Sequence, residues 1–391
     1  MSKNRILPVV FCACILMLSF MTGYKYIQAV MGHTLINEDT SNASSKLEAN
    51  MVSVFAKKDQ FININGEIRK LLGQREMNDV IRLENGYMNQ RTGWLTDEDI
   101  ARYAKNTKEF SDILEARGIK YIWFTLPYVV DKDDPKTPVG IDGDYGNDNL
   151  DRVTEAFNDA GIATVDLRDK LHDAGYETYD LFYKTDHHWT TEGGFWAYNQ
   201  LVDYIENIVD VNTVGTVDAK IRNLDDYEIT VYPNWFLGSR GQRTGKDFGG
   251  MDDFDLILPK FDTYVETIPR AEDELIGGTV AEMMINQVPL SYHDYMGRGI
   301  FDSVMGGSIE HWWHNPNASS SLRVMVIGDS MMRAVFPYMA MSFSDVAYGC
   351  YCMDVSGVDD ELISEFQPDI VISMNYVTNL NPEAFEWGLI K

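Results

Sequence analysis

Arg323-Val324-Met325-Val326-Ile327-Gly328-Asp329-Ser330 is the stretch whose reading decides the fold. Val324 to Ile327 is a short, unbroken apolar run, the pattern of a strand buried on both faces in a parallel sheet. It closes in Gly-Asp-Ser, and Met331 to Met341 reads as the helix that follows. A serine at such a turn sits at the carboxyl end of a strand, where open parallel sheets form their sites. Its own N–H, at a helix N-terminus, can face a developing oxyanion. The same serine also suits a plain helix N-cap, so the tripeptide needs chemical partners elsewhere in the chain.

The flanking sequence repeats the strand–helix rhythm. Asp97 to Arg117 reads as a helix with Tyr103, Phe110 and Leu114 on one stripe, stopped by Gly118. Ile119 to Leu126 is an apolar run, Asn149 to Ala160 a helix, and Ala163 to Leu167 a second strand, which together make a βαβ unit. Thr191 to Val209 is a further helix, opening on Thr-Glu-Gly-Gly. After Ser330 a strand is expected at Asp345–Cys352, a helix at Val358–Phe366 and a strand at Asp369–Met374. Residues 211–320 break the rhythm; they are rich in Asp, Gly and Thr and read as a long irregular and β insertion. The expected architecture is a three-layer α/β fold on a parallel sheet.

Lys3 and Arg5 precede an apolar run from Ile6 to about Tyr24. That is an export signal, and the absence of a clean Ala-x-Ala-like site favours an uncleaved anchor over a signal peptide. The positive-inside rule then places the rest of the chain outside the cytoplasm. Residues 25–60 read as a polar stalk and 61–391 as the α/β domain. The formal net charge is −27, which disfavours nucleic-acid backbones. Of four cysteines, Cys12 and Cys14 fall in the apolar run, while Cys350 and Cys352 alternate on a strand and so face opposite ways, as buried thiols rather than a disulfide.

A nucleophilic serine needs a base, and the base a carboxylate to orient it. Asp186-His187-His188-Trp189, just before the helix at Thr191, holds both on one tight turn. A metal site would need further donors such as His172, His311 or His314, and no standard ligand spacing is present. His311 and His314 flank Trp312-Trp313, a pattern that suits packing or substrate lining.

Thr185-Asp186-His187-His188-Trp189-Thr190 resembles the Thr-Asp-x-His-Trp-Thr signature of the SGNH-hydrolase-like proteins that O-acetylate alginate, and more closely that of the DHHW family. Glu84-Asn85-Gly86-Tyr87 and Gly238-Ser239-Arg240-Gly241-Gln242-Arg243-Thr244-Gly245 extend the resemblance from roughly Phe61 to the C-terminus. The Asp-x-His element precedes Gly-Asp-Ser, the reverse of ordinary SGNH esterases and therefore a circularly permuted order. The resemblance implies an SGNH-like (flavodoxin-like) fold with Ser330 as nucleophile, His188 as general base and Asp186 as its orienting carboxylate. It places Gly357, in Val355-Ser356-Gly357, and Asn375 at the oxyanion-donor blocks, without the fuller Gly-x-Asn-Asp form. Arg333, His187 and Trp189 stand as substrate or supporting residues, and no cofactor is implied.

The expected activity is extracytoplasmic transfer of acetyl, through an acyl-serine, to hydroxyls of a cell-surface or exported polysaccharide. A membrane acyltransferase of the MBOAT class is the implied acetyl source. Trp235, Tyr292, Trp312 and Trp313 are available to stack on sugars. An acetylesterase on the same scaffold and a non-catalytic polysaccharide-binding or assembly protein are the alternatives.

Overall fold

The structure, a computed structural model, describes residues 3–32, 50–51, 54–268, 276–295, 300–305, 312–350 and 355–389. His311, Cys352 and most of the expected stalk lie outside the described residues, and the side chains of His172 and Cys350 are not described.

The chain opens with α1 (Lys3–Met31), whose Pro8–Met31 portion is long and apolar enough to cross a membrane. It runs past the expected boundary at Tyr24. Cys12 and Cys14 are free thiols on its exposed surface. Helix α2 (Lys58–Leu71) straddles the expected stalk–domain boundary. A small antiparallel sheet of β1 (Glu76–Met77), β2 (Val80–Arg82) and β3 (Met88–Gln90) comes next.

Strand, helix and strand then follow in the expected order. Helix α3 (Asp97–Glu115) is capped by Thr96, whose side chain accepts from Asp99 N–H, and it buries Tyr103, Phe110 and Leu114. It leads to β4 (Lys120–Thr125), α4 (Gly146–Asp159), β5 (Thr164–Asp166) and α5 (Leu167–Asp173). Helix α6 (Thr191–Ile208) opens at Thr190, which accepts from Gly193 N–H.

The main sheet runs β5, β4, β13 (Ile370–Met374), β11 (Ser320–Gly328), β12 (Phe343–Cys350), β10 (Trp312–His314), β8 (Val265–Ile268), β9 (Ile276–Gly278). Its five-stranded parallel part consists of β5, β4, β13, β11 and β12. The sheet is nevertheless mixed. From the insertion come β8, β9 and β10, which add antiparallel strands beyond β12. The insertion also folds a separate hairpin of β6 (Tyr227–Phe236) and β7 (Asp252–Pro259). Strands of three or four residues, as β8, β9 and β10 are, are too short to show the apolar run that marks a buried parallel strand, which is why their sheet membership was hidden in the sequence.

The helix expected at Met331–Met341 is divided. A 3₁₀ turn, Ser330–Ala334, is followed by a separate α-helix, Phe336–Ser342. Pro337 has no N–H to give the preceding turn and suits only the start of a helix. One large core runs under both faces of the sheet. There Phe110 and Trp387 stack at 4.1 Å, and Trp123, Phe157 and Phe385 pack edge and face, so the C-terminal segment is locked onto α3 and α4.

Candidate active site

The ends of β11 and of the loop before α6 meet. β11 is an inner strand of the parallel part, flanked by β13 and β12, and Gly328 closes it. Beyond it Asp329 caps the 3₁₀ turn by accepting from Met331 N–H. Its other carboxylate oxygen accepts from Tyr376 N–H (2.6 Å) and the Asn379 amide (2.8 Å), which ties the Ser330 turn to the segment after β13. The Tyr348 hydroxyl donates to the Asp329 carbonyl.

On the other side, Trp189 buries its ring and donates its indole N–H to the Met331 carbonyl at 2.7 Å. Gly194, in the first turn of α6, has no room for a side chain: a Cβ there would lie 2.4 Å from Ala334 Cβ. This close approach brings the start of α6 against the serine turn.

The result is a continuous hydrogen-bonded chain. His188 Nε2 lies 2.7 Å from Ser330 Oγ, and His188 Nδ1 lies 2.7 Å from Asp186 Oδ1. Asp186 and His188 are buried, while Ser330 is partly exposed. The imidazole of His188 stacks on Phe301, with ring centres 4.4 Å apart. Asp186 also accepts from the N–H groups of His187, His188 and Ser239. Burial by itself would push the Asp186 pKa up. The charges of His187 and His188 and their hydrogen bonds outweigh it and hold the carboxyl well below the usual carboxylate range. For His188, burial works against the imidazolium, but the charge and hydrogen bond of Asp186 prevail and raise its pKa above the ordinary histidine value. Burial and the neighbouring His188 lower that of His187.

Several supporting groups have no signal in the strand–helix pattern. Asp252, at the start of β7, accepts from Lys184 N–H, Thr185 N–H and the Thr185 hydroxyl, so the hairpin grips the Asp186 turn. Arg240 is buried and donates to the carbonyls of Met88 and Asp186. Gly238 is fitted against Asp186: a Cβ there would stand 2.3 Å from Asp186 Cβ. The Gly238–Gly245 stretch, quoted above only for its resemblance, was the signal for Ser239 and Arg240; Asp252 had none.

The remaining expected residues fall in varied places. Asn375 directly follows β13, is buried, and neither its amide nitrogen nor its oxygen has a hydrogen-bond partner. Gly357 lies in an exposed turn whose Val355 bonds to the C-terminal segment. Arg333 is half-buried with its Nε unpartnered. Asp186, His187 and His188 bring ligand atoms within 4.8 Å of one another, but both ring nitrogens of His188 are already engaged, one by Asp186 and one by Ser330. Trp313 is a core residue, Trp312 packs on Phe366, Trp235 stacks on His293 at 3.9 Å, and Tyr292 is exposed. His314 pairs with Asp345.

A cavity of about 600 Å³ reaches His187, the chain neighbour of His188; Ser330 and His188 are not among the residues that line it. His187 and Ser239 form its inner wall, with Nδ1 of His187 3.1 Å from Ser239 Oγ. Trp94, Arg243 and Asn379 line the rest.

Residues 86–224 match the family model of the SGNH hydrolase-like domain of the acetyltransferase AlgX. The match contains Asp186 and His188 and stops before Ser330. No curated protein matches the sequence. Among solved structures, Bacillus cereus PatB1 is similar over 79% of this chain and 99% of its own, with 19% identity and a TM-score of 0.62. A DHHW family protein from Eubacterium siraeum is similar over 80% of this chain and 96% of its own, with 15% identity and a TM-score of 0.58. The fold is SGNH-hydrolase-like, with the long insertion and the motif order expected from the sequence.

Proposed function

We propose that this SGNH-like chain is an extracytoplasmic O-acetyltransferase that passes acetyl through Ser330 to hydroxyls of a cell-surface or exported polysaccharide. The observation that carries the proposal is the unbroken Asp186–His188–Ser330 hydrogen-bonded chain, and a cavity of about 600 Å³ that begins at the adjacent His187 is of a size to take a saccharide. The acetyltransferase family model over residues 86–224 supports acetyl as the group carried. The apolar helix α1, with its basic start, supports placement of the domain outside the cytoplasm.

With its proton on Nδ1, shared with Asp186, His188 leaves Nε2 free to accept the Ser330 hydroxyl proton. Ser330 Oγ then attacks the carbonyl carbon of an acetyl donor. The tetrahedral oxyanion is held by the Ser330 N–H, one of the first N–H groups of the 3₁₀ turn, and by the Asn375 amide, which has no partner in the resting site. Collapse of the intermediate expels the donor's leaving group, which takes the proton from His188. A sugar hydroxyl then gives its proton to His188 and attacks the acyl-serine; the second collapse returns the proton to Ser330 Oγ. Asp186 stays ionised throughout and stabilises the transient imidazolium. We propose an MBOAT-class membrane protein as the acetyl source.

The test is to treat the full chain, in detergent, with p-nitrophenyl acetate and weigh it intact. One acetyl adds about 42 Da to an activated serine. An adduct mapped to Ser330, absent from Ser330→Ala and discharged faster by oligosaccharide than by water, is the expected result. Discharge by water alone would make the protein an esterase. No adduct on a folded sample from either a small ester or an acetyl-loaded membrane partner would overturn the proposal in favour of a non-catalytic binding role.

A further inference from the structure

Helix α2 carries a row of exposed apolar side chains. Phe61, Ile64, Ile68 and Leu71 are 48%, 55%, 50% and 80% exposed, and Leu72, just past the helix end, is 70% exposed. Their spacing of three and four residues puts all five on one face. The opposite face is clamped to the domain. Gly66 packs so closely that a Cβ would lie 2.4 Å from the Thr244 carbonyl oxygen, Ile62 packs with Met77, Val80, Met88 and Phe248, and the Asn63 side chain accepts from Lys246 N–H. The apolar row therefore cannot turn inward to bury itself. A contiguous apolar face of this kind marks a binding surface.

Two further observations say what covers it. First, the segment leading into α2 touches α1: Ala56 N–H donates to Thr22 Oγ1 at 3.1 Å. About 20 helical residues, at 1.5 Å each, cross the ~30 Å apolar layer of a bilayer. Counted from Pro8, the crossing ends near Ile27, beside Tyr24 and Tyr26, the residue types that settle at the lipid–water boundary. Contact at Thr22 thus brings the start of α2 alongside the outer half of the span, next to that boundary. Second, Lys57 and Lys58 stand at the start of the helix beside the apolar row, and among the described residues neither is in an ion pair; Arg69 and Lys70 instead turn back, Arg69 donating to Asn65, Gln74 and the Glu76 carbonyl and Lys70 to the Asp247 carbonyl. In a chain of net charge −27 this is a local reserve of positive charge, suited to anionic lipid headgroups.

We propose that α2 is a membrane-docking helix. It lies in the headgroup region of the outer leaflet, with Phe61, Ile64, Ile68, Leu71 and Leu72 in the lipid and Lys57 and Lys58 on anionic headgroups. The proposal rests on α1 being retained as an anchor and is independent of acetyl transfer. Docking would hold the serine site against the membrane rather than at the end of a loose tether.

The test uses the full chain in nanodiscs of mixed phosphatidylcholine and phosphatidylglycerol. Cys12, Cys14, Cys350 and Cys352 are replaced by serine, and a single cysteine carrying an environment-sensitive fluorophore is placed at Ile64, Ile68 or Leu71. A control label goes at Val139, which is fully exposed on the domain. Lipids with brominated acyl chains are expected to quench the α2 labels about threefold or more above the control, and reversal of charge at Lys57 and Lys58 to weaken this. Equal quenching at α2 and Val139, in a chain that stays with the nanodisc, would overturn docking while leaving the anchor in place. Protection of the α2 labels from aqueous iodide without quenching by brominated lipid would mean that a protein, a second copy or a membrane partner, covers the helix; that also overturns the proposal. A chain that leaves the nanodisc altogether would overturn both docking and the retained anchor. Ile64→Asp with Ile68→Asp changes only exposed positions, so adduct formation at Ser330 should persist while quenching at Leu71 falls.

Discussion

Whether Ser330 is activated depends on the protonation of one ring nitrogen. In the proposed mechanism neutral His188 is the base, and its pKa is raised above the ordinary histidine value, against burial, by Asp186. Protonation by bulk solvent therefore removes the base as pH falls through that raised value, and the acid limb of acylation should lie above the ~6.5 of an unperturbed histidine. Asp186→Asn withdraws the charge that raises the pKa. It should move the limb to lower pH and slow acylation by about 10³-fold or more through loss of the correct tautomer. A pH profile of p-nitrophenol release from both proteins checks this, and an unmoved limb would mean that another group is titrating. Gly238→Ala is a separate test at the same scale. Its methyl must push Asp186 away, so acylation should fall about 10²-fold while the far-ultraviolet spectrum stays unchanged.

Short elements hold these residues by a few charged hydrogen bonds. Asp329 joins the serine turn to the segment after β13 and also caps that turn. Asp329→Ala should lower stability by about 2–3 kcal/mol, because three N–H donors lose a carboxylate. It should also impair acylation by loosening Ser330 and Asn375 together; urea unfolding and adduct formation measure the two effects. Asp252→Ala acts from the other side of the site, freeing Thr185 and so the Asp186 turn, and should cost activity as well as stability. Most strands and helices of the parallel core were legible within a few residues, because long apolar runs and 3.6-residue stripes report burial directly. The split at Pro337 stood in the sequence too, but a run as apolar as Met331–Met341 masks a break. The partners of Asp252 and Arg240 were not legible, since a buried carboxylate or guanidinium carries no period.

Across the whole molecule, the insertion does more than interrupt. Its β8, β9 and β10 widen the main sheet, and its β6–β7 hairpin supplies Asp252 and, in the connection between the two strands, Gly238, Ser239 and Arg240 at the site. Trp313, buried in β10, should therefore matter to global stability. Trp313→Ala is expected to cost about 3–5 kcal/mol, read as a lower melting temperature of the entire domain. An insertion that unfolded on its own, leaving the main transition unchanged, would contradict this.

The sequence by itself determined the α/β rhythm, the order of Asp186, His188 and Ser330, the apolar start and the SGNH-like resemblance. Those are properties of local pattern and residue type. Only the tertiary structure decided that His188 and Ser330, 142 positions apart, meet at 2.7 Å. It alone placed an insertion strand beside the Asp186 turn and left one face of α2 uncovered. Such facts depend on which surfaces the sheet brings together, and no spacing along the chain encodes that contact.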